Sequence, residues 1–282
     1  MKKTIYKEIV TMNALLCLGV VLIHLTSVPL TTLNPERALY VLFFAINRLL
    51  CFCVPSFIFL TGFKLYGKYG NEKVDLKQFF VGRVKKVVVP YIIAVAVYFV
   101  YLLYKNCVVM SEIPQYIFLG TLVAHFYYII IAVQCYLLFP LLKNVFSKHP
   151  IWVSIAALAC TVCFNEFVHF QYSDRFVGTY ILYFVFGMLF KKYDLGRKVN
   201  KYYFITLAGY IFVSFIHIRL FYLQSLGQIM YHYASIANIV YVLFSIVFIY
   251  GTCLWISEKS KLIFTVSQAI SNVSTCIYIT SS

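Results

Sequence analysis

Residues 9–28 read IVTMNALLCLGVVLIHLTSV, twenty positions without an Asp, Glu, Lys or Arg. That is the length a helix needs to cross a hydrocarbon core of about 30 Å. Lys2, Lys3 and Lys7 precede the run, a flank that suits a secretory signal as well as a first membrane span. No small-x-small cleavage site follows, and further apolar runs come after it, so it reads as a retained first helix.

The same pattern recurs along the chain. Nine spans are expected, roughly at 9–28, 39–62, 84–104, 120–142, 151–169, 177–191, 202–220, 235–256 and 262–280. Basic residues test this partition independently. With the N-terminus in the cytoplasm, the inner segments hold 19 of the 24 Lys and Arg, the outer segments hold Arg37, Lys105, Arg175 and Arg219, and Arg48 alone falls inside a span. Such asymmetry is what the positive-inside rule demands. An odd number of spans leaves the final residues at the outer edge. The expected fold class is therefore all-α, a polytopic transmembrane bundle of about nine spans, organised as one membrane domain over residues 1–282.

Composition agrees. Apolar residues make up 62%, charged residues only 12%, and the mean hydropathy is +0.86, whereas a soluble domain carries about 25% charged residues. The net charge of +15 sits in short clusters between apolar runs, so it argues for a membrane and against nucleic acid. Eight of the nine Cys fall in apolar runs and only Cys107 lies near a loop, so all nine read as small core residues rather than disulfides. The longest polar stretch, about 64–83, is too short for a soluble domain. There is no nucleotide-binding glycine loop, and no pair of matching broken helices of the kind inverted-repeat transporters carry.

Ionisable groups inside spans are costly and often functional. His24 lies near the outer end of the first span. It reads either as an interfacial imidazole or as a general acid–base, the chemistry open to His near neutrality. Asn13 lies eleven residues earlier, on the same helical stripe but about 16 Å away along the axis. It reads as a stripe partner or as a packed amide bonding a neighbouring helix. Arg48 either snorkels outward or holds an anionic group or developing oxyanion. His125, in AHFYYII, is a belt residue or a member of an outer His and Arg cluster with His169, His217, Arg219 and His232. No HExxH or tight His pair is present, so no metal site is expected. On the inner side, FFVGRVKKVVVPY places Arg83 and Lys86 three apart, on one face of an α-helix. They are ordinary positive-inside charge or a pair that grips a phosphorylated cofactor. Pro90 kinks or starts the deeper part of that helix.

Taken together, MNALLCLGVVLIHLT, RLLCFCVPSFIFLTGFKLY, FFVGRVKKVVVPYII, AHFYYIIIAVQCYLLFPLL, YILYFVFGMLF and ISNVSTCIYI resemble, in that order and spacing, the membrane acyltransferase-3 family. That family includes O-acetyltransferases of cell-surface sugars and the intercellular-adhesin membrane protein. The resemblance implies a ten-helix enzyme of the bacterial cytoplasmic membrane. Such an enzyme moves an acyl group, usually acetyl, from cytoplasmic acyl-CoA to a hydroxyl of an envelope polysaccharide or lipid-linked sugar. It implies that His24 is the key catalytic residue, in proton transfer or in carrying the acyl group, and that Arg83 and Lys86 serve the acyl-CoA side. Asn13 stands where the family usually has Arg, which leaves only neutral hydrogen bonds on the stripe. Lys86 stands where the family usually has a second Arg, keeping the charge but losing the fork. The chain stops at Ser282, before the family's last helix, and looks truncated.

Three functions follow as alternatives. The first is acyl transfer to an envelope sugar, with dependence on His24 and Arg83. The second is export or flipping of a surface polysaccharide, with no need of acyl-CoA. The third is an inactive truncated copy or a structural partner in glycan-synthesis machinery, with no glycan phenotype.

Overall fold

Inside a bilayer there is no water to satisfy backbone N–H and C=O groups, so long apolar segments wind into helices that bond internally. The computed structural model describes residues 6–168 and 170–277; Lys2, Lys3 and His169 lie outside them. Among the described residues there are helices and turns only. In chain order the helices are α1 (Lys7–Thr32), α2 (Ala38–Leu49), α3 (Cys53–Tyr69), α4 (Leu76–Arg83), α5 (Val89–Tyr104), α6 (Ile113–Phe118), α7 (Tyr127–Lys148), α8 (Pro150–Phe167), α9 (Ile181–Lys192), α10 (Leu195–Lys201), α11 (Tyr203–Ser225), α12 (Tyr231–Lys259) and α13 (Lys261–Ile277).

Seven helical segments among the described residues are long and apolar enough to cross a membrane: Lys7–Thr32, Ala38–Tyr69, Leu76–Tyr104, Ala124–Lys148, Pro150–Phe167, Tyr203–Ser225 and His232–Lys259. They answer seven of the nine expected spans. The other two expectations meet shorter helices. α9 has 12 residues, about 18 Å at 1.5 Å per residue, short of the core thickness. α13 is described for 17 residues, and the last part of its expected span lies outside the described residues.

Prolines shape three of the spans. Pro55 lacks an N–H, and inside a continuous helix its ring would clash with the Cys51 carbonyl. The second span accordingly breaks at residues 50–52 between α2 and α3, and Pro55 falls in the first turn of α3, where no donor is needed. Pro90 has the same conflict with the Lys86 carbonyl. Here Val84–Val88 widen into a π-helical turn between α4 and α5, and Pro90 sits at the start of α5. Pro29 is carried inside α1.

The chain forms two compact units, the first comprising residues up to Leu60 with Phe190–Ser274, the second Thr61–Leu189. In the first, α1 packs on α2 and α12, α11 runs along α12, and α11 also meets α2. Phe59, Phe190 and Tyr250 form an edge-to-face chain, with centroids 5.4 and 4.8 Å apart. In the second unit α7 packs on α8, and α3 approaches α9 at a glycine. A Cβ on Gly62 would overlap the carbonyl oxygen of Phe184 and lie 3.0 Å from its carbon. Gln134 on α7 closes the loop before α9 with both ends of its amide, donating to the Arg175 carbonyl at 2.9 Å and accepting from the Val177 N–H at 2.8 Å.

The cysteines are less uniform than expected. Cys17, Cys53, Cys135 and Cys253 are buried, Cys51 and Cys160 are half-buried, and Cys107 and Cys163 are exposed. A thiol in an apolar run of a membrane helix need not face inward, because lipid accepts it equally well.

Candidate functional site

The six expected site residues divide between the units. Asn13, His24 and Arg48 belong to the first; Arg83, Lys86 and His125 belong to the second.

In the first unit, His24 is exposed on α1. The turn that carries it is fixed from both sides. Thr26 bonds back to the Leu22 carbonyl at 2.8 Å and Ser27 to the Ile23 carbonyl at 2.7 Å. Asn47 of α2 donates its side-chain amide to the Ile23 carbonyl at 3.1 Å and to the Thr26 hydroxyl at 3.0 Å. The sequence reading passed over Asn47; an amide in an apolar run one residue before the only mid-span Arg was its available signal. Asn13 is buried and donates to the Ser271 hydroxyl of α13 at 3.1 Å. The stripe therefore runs from a packed interhelical amide to an exposed imidazole, and the structure gives the two residues different surroundings.

Arg48 ends α2 beside the break. Its guanidinium lies over two ring faces, 5.4 Å from Phe44 and 5.0 Å from Phe221, an arrangement that holds a cation in apolar surroundings. The break is tied down by the facing helices. The Ile46, Asn47, Arg48 and Leu50 carbonyls accept from backbone N–H groups of residues 50–53, and the Leu49 carbonyl accepts from the Tyr241 hydroxyl at 2.6 Å. His217 of α11 is fully buried and stacks on Tyr241 with centroids 4.2 Å apart and 10° between planes. Its Nε2 is 3.3 Å from the Arg48 carbonyl and 3.5 Å from Cys51 Sγ. The Cys51 thiol also donates to Asn238 Oδ1 at 3.3 Å. The sequence places His217 near the outer side, but its convergence with Cys51, Asn238 and Tyr241 comes from tertiary packing across more than 160 residues.

In the second unit, Arg83 closes α4 with its guanidinium 5.2 Å from the Phe79 ring and 4.9 Å from the Tyr136 ring. Lys85 and Lys86 are exposed in the π-helical turn that follows. That turn alters the expected geometry, because an i→i+5 turn rotates less per residue than an α-helix. Arg83 and Lys86 therefore do not share a face as an α-helical pair would: Arg83 is seated on two rings, and Lys86 lies three residues on, exposed in the π-helical turn. Three cations within four residues still suit a polyphosphate. The N-terminus of α4 is capped by Asp75, which accepts from the Gln78 N–H at 3.1 Å, and Lys143 donates to the Glu72 carbonyl in the loop before it. His125 sits half-buried in a 3-10 turn, edge-on to Tyr98 at 6.3 Å and Phe126 at 5.0 Å. That is the surrounding of an aromatic-belt residue. Among the described residues no three His, Cys, Asp or Glu converge to hold a metal.

The family model for an acyltransferase domain, Acyl_transf_3, matches residues 8–281. No curated protein and no solved structure matches the chain. Seven membrane-length helices and a family match over nearly the whole sequence agree: the chain belongs to the membrane acyltransferase-3 family.

Proposed function

We propose that this chain moves an acyl group, acetyl in the simplest case, from cytoplasmic acyl-CoA to a hydroxyl of a cell-envelope carbohydrate in a bacterial cytoplasmic membrane, with its N-terminus inside. The match of an acyltransferase family model to residues 8–281 carries this reading. The exposed imidazole of His24 supports it, as does the basic turn at Arg83, Lys85 and Lys86. In this scheme the basic turn holds the phosphates of the donor. His24, nearer the outer face, takes the proton of the acceptor hydroxyl as its oxygen attacks the thioester carbonyl, which the scheme requires to arrive through a deep cavity or on a membrane-crossing acyl carrier. The C–S bond breaks, and the proton passes to the departing CoA sulfur, leaving an ester and free CoA. Asn47 keeps the His24 turn in register.

Ester-linked acyl content of purified surface polysaccharide tests the proposal. It is compared in a deletion strain, the same strain carrying this chain, and the same strain carrying His24→Ala at equal membrane level. Loss on deletion, rescue by the chain and no rescue by His24→Ala are expected. Equal acyl content in all three overturns acyl transfer, and the amount of polysaccharide reaching the surface then separates export from an inactive copy.

A further inference from the structure

Three buried polar atoms at the break of the second span have no hydrogen-bond partner among the described residues: Nε of Arg48, Oγ of Ser56 and Nδ1 of His217. A buried unsatisfied group is destabilising, and a guanidinium is a permanent cation. Among the described residues Arg48 lies over the Phe44 and Phe221 rings and is in no ion pair with a carboxylate. Ring faces attract the charge but leave N–H groups at the guanidinium edge unbonded. The cluster offers donors and a positive charge on α2 and α11, and it lacks an anionic oxygen.

Depth limits what can bring one. The second span runs 32 residues, about 48 Å against a hydrocarbon core of about 30 Å, so each end projects about 9 Å if the span is centred. Arg48 lies ten residues, about 15 Å, from the Ala38 end, which puts it about 6 Å inside the core. His217 lies about 12 Å from the Ser225 end of α11 on the same count. Leu39 and Leu42, on the same helix as Arg48, are exposed. A soluble anion has no carrier to that depth. A headgroup phosphate attached to a lipid tail lies within a few ångströms of it.

We propose that the break between α2 and α3 binds the phosphate of a lipid-anchored molecule, with Arg48 and His217 as its two donors. Resting on the acyl-transfer reading, this makes the acceptor a saccharide presented on a lipid phosphate rather than a free polymer. Which ring nitrogen of an imidazole carries the proton follows from the bond the other one makes. With a phosphate oxygen at Nδ1 the ring donates there, while Nε2 donates to the Arg48 carbonyl at 3.3 Å and the Cys51 thiol stays on Asn238 Oδ1, so the bound imidazole carries both protons.

The test uses the full chain in a phosphate-free sugar detergent. Dioctanoyl phosphatidylglycerol, dioctanoylglycerol and inorganic phosphate are titrated separately, and binding is read by thermal shift and by native mass spectrometry. The parent should bind the phospholipid and neither the neutral diglyceride nor inorganic phosphate over the same concentrations. Arg48→Gln and His217→Gln should each weaken binding about tenfold or more, the loss of one charge-assisted hydrogen bond. Arg219→Gln, an exposed cation on the same helix as His217, should bind as the parent does. Arg48→Lys keeps the charge for folding but loses the fork, and should still weaken binding several-fold. Parent-level binding by Arg48→Lys or Arg48→Gln, an equal loss in Arg219→Gln, equal binding of the neutral diglyceride, or saturation by inorganic phosphate alone would overturn the assignment. No acyl donor is present, so a strain that fails to acylate while this site still binds would sink the acyl-transfer reading and leave the site standing.

Discussion

Replacing Tyr241 by Phe removes one oxygen from a side chain that is fully buried and leaves the ring in place. The hydroxyl donates at 2.6 Å to the Leu49 carbonyl, at the C-terminal end of a helix interrupted within its span. The change creates almost no cavity, so its effect reads the hydroxyl's polar contacts, among them the 2.6 Å bond to the Leu49 carbonyl. Side-chain hydrogen bonds in membrane proteins average about 0.6 kcal/mol and reach about 1.7 kcal/mol. A carbonyl stranded away from water costs about 1–3 kcal/mol. The short distance and the helix-end position place this bond at the upper part of the first range, about 1–2 kcal/mol. At about 2–4 °C per kcal/mol for a protein of this size, the melting temperature in detergent should fall by about 2–8 °C. Tyr233→Phe is the control, since Tyr233 is 60% exposed on the same helix and should stay within about 1 °C of the parent. An unchanged or raised melting temperature for Tyr241→Phe would show that the break is not held by α12, and the account of the second span would fail with it.

Gly62→Ala forces α3 away from the Phe184 backbone, which cannot rotate aside. It should destabilise by about 1–3 kcal/mol, the range for overpacking, seen as a lower melting temperature and poorer recovery after extraction. Gln134→Leu strands the Arg175 carbonyl and the Val177 N–H together and should cost about 2–4 kcal/mol. Protease sensitivity of the 168–180 segment should rise, and an unchanged digestion pattern would refute the clamp. Asn47→Leu releases the His24 turn; in an acyl-transfer assay it should lower kcat with little change in donor KM, and a KM effect alone would contradict a positioning role. Arg83→Gln should raise the apparent KM for acyl-CoA more than Lys86→Gln, because two rings hold the Arg83 guanidinium in place; the reverse order would overturn that assignment.

The fold class was legible because lipid-facing helices need only length and apolarity, and both are written in runs such as 9–28. What the runs could not show was their interruptions. The second span reads as continuous from its apolarity, and Pro90 as a kink or start in the third, yet Pro55 and Pro90 alike stand four residues past a carbonyl that a continuous helix would crowd. That steric rule marks Pro55 and Pro90 as places where a run can break or widen, but not which prolines do so, since Pro29 and Pro140 are carried inside α1 and α7. Facing was harder to read. Arg83 and Lys86 lost their common face to the π turn, and Asn13 and His24 share a stripe angle but not an environment, because burial along α1 depends on neighbours that arrive much later in the chain. The polar cluster around Arg48 was half visible. The unpaired Arg was plain, while its partners on α11 and α12 carry no local signal.

Those partners also lie far away in time. Leu49 and Tyr241 are 192 residues apart, which at about 5–20 residues per second is about 10–40 s of synthesis. Throughout that interval the second span is already made, with an arginine about 6 Å inside the core and a helix end whose side-chain cap does not yet exist. An arginine opposes insertion by about 2.5–3.5 kcal/mol at a span's centre and by less nearer the interface, where Arg48 lies; until α11 and α12 emerge the apolar residues on either side must offset that cost alone. The yield of correctly inserted protein should therefore depend on the residues flanking Arg48 more than on any other part of the chain.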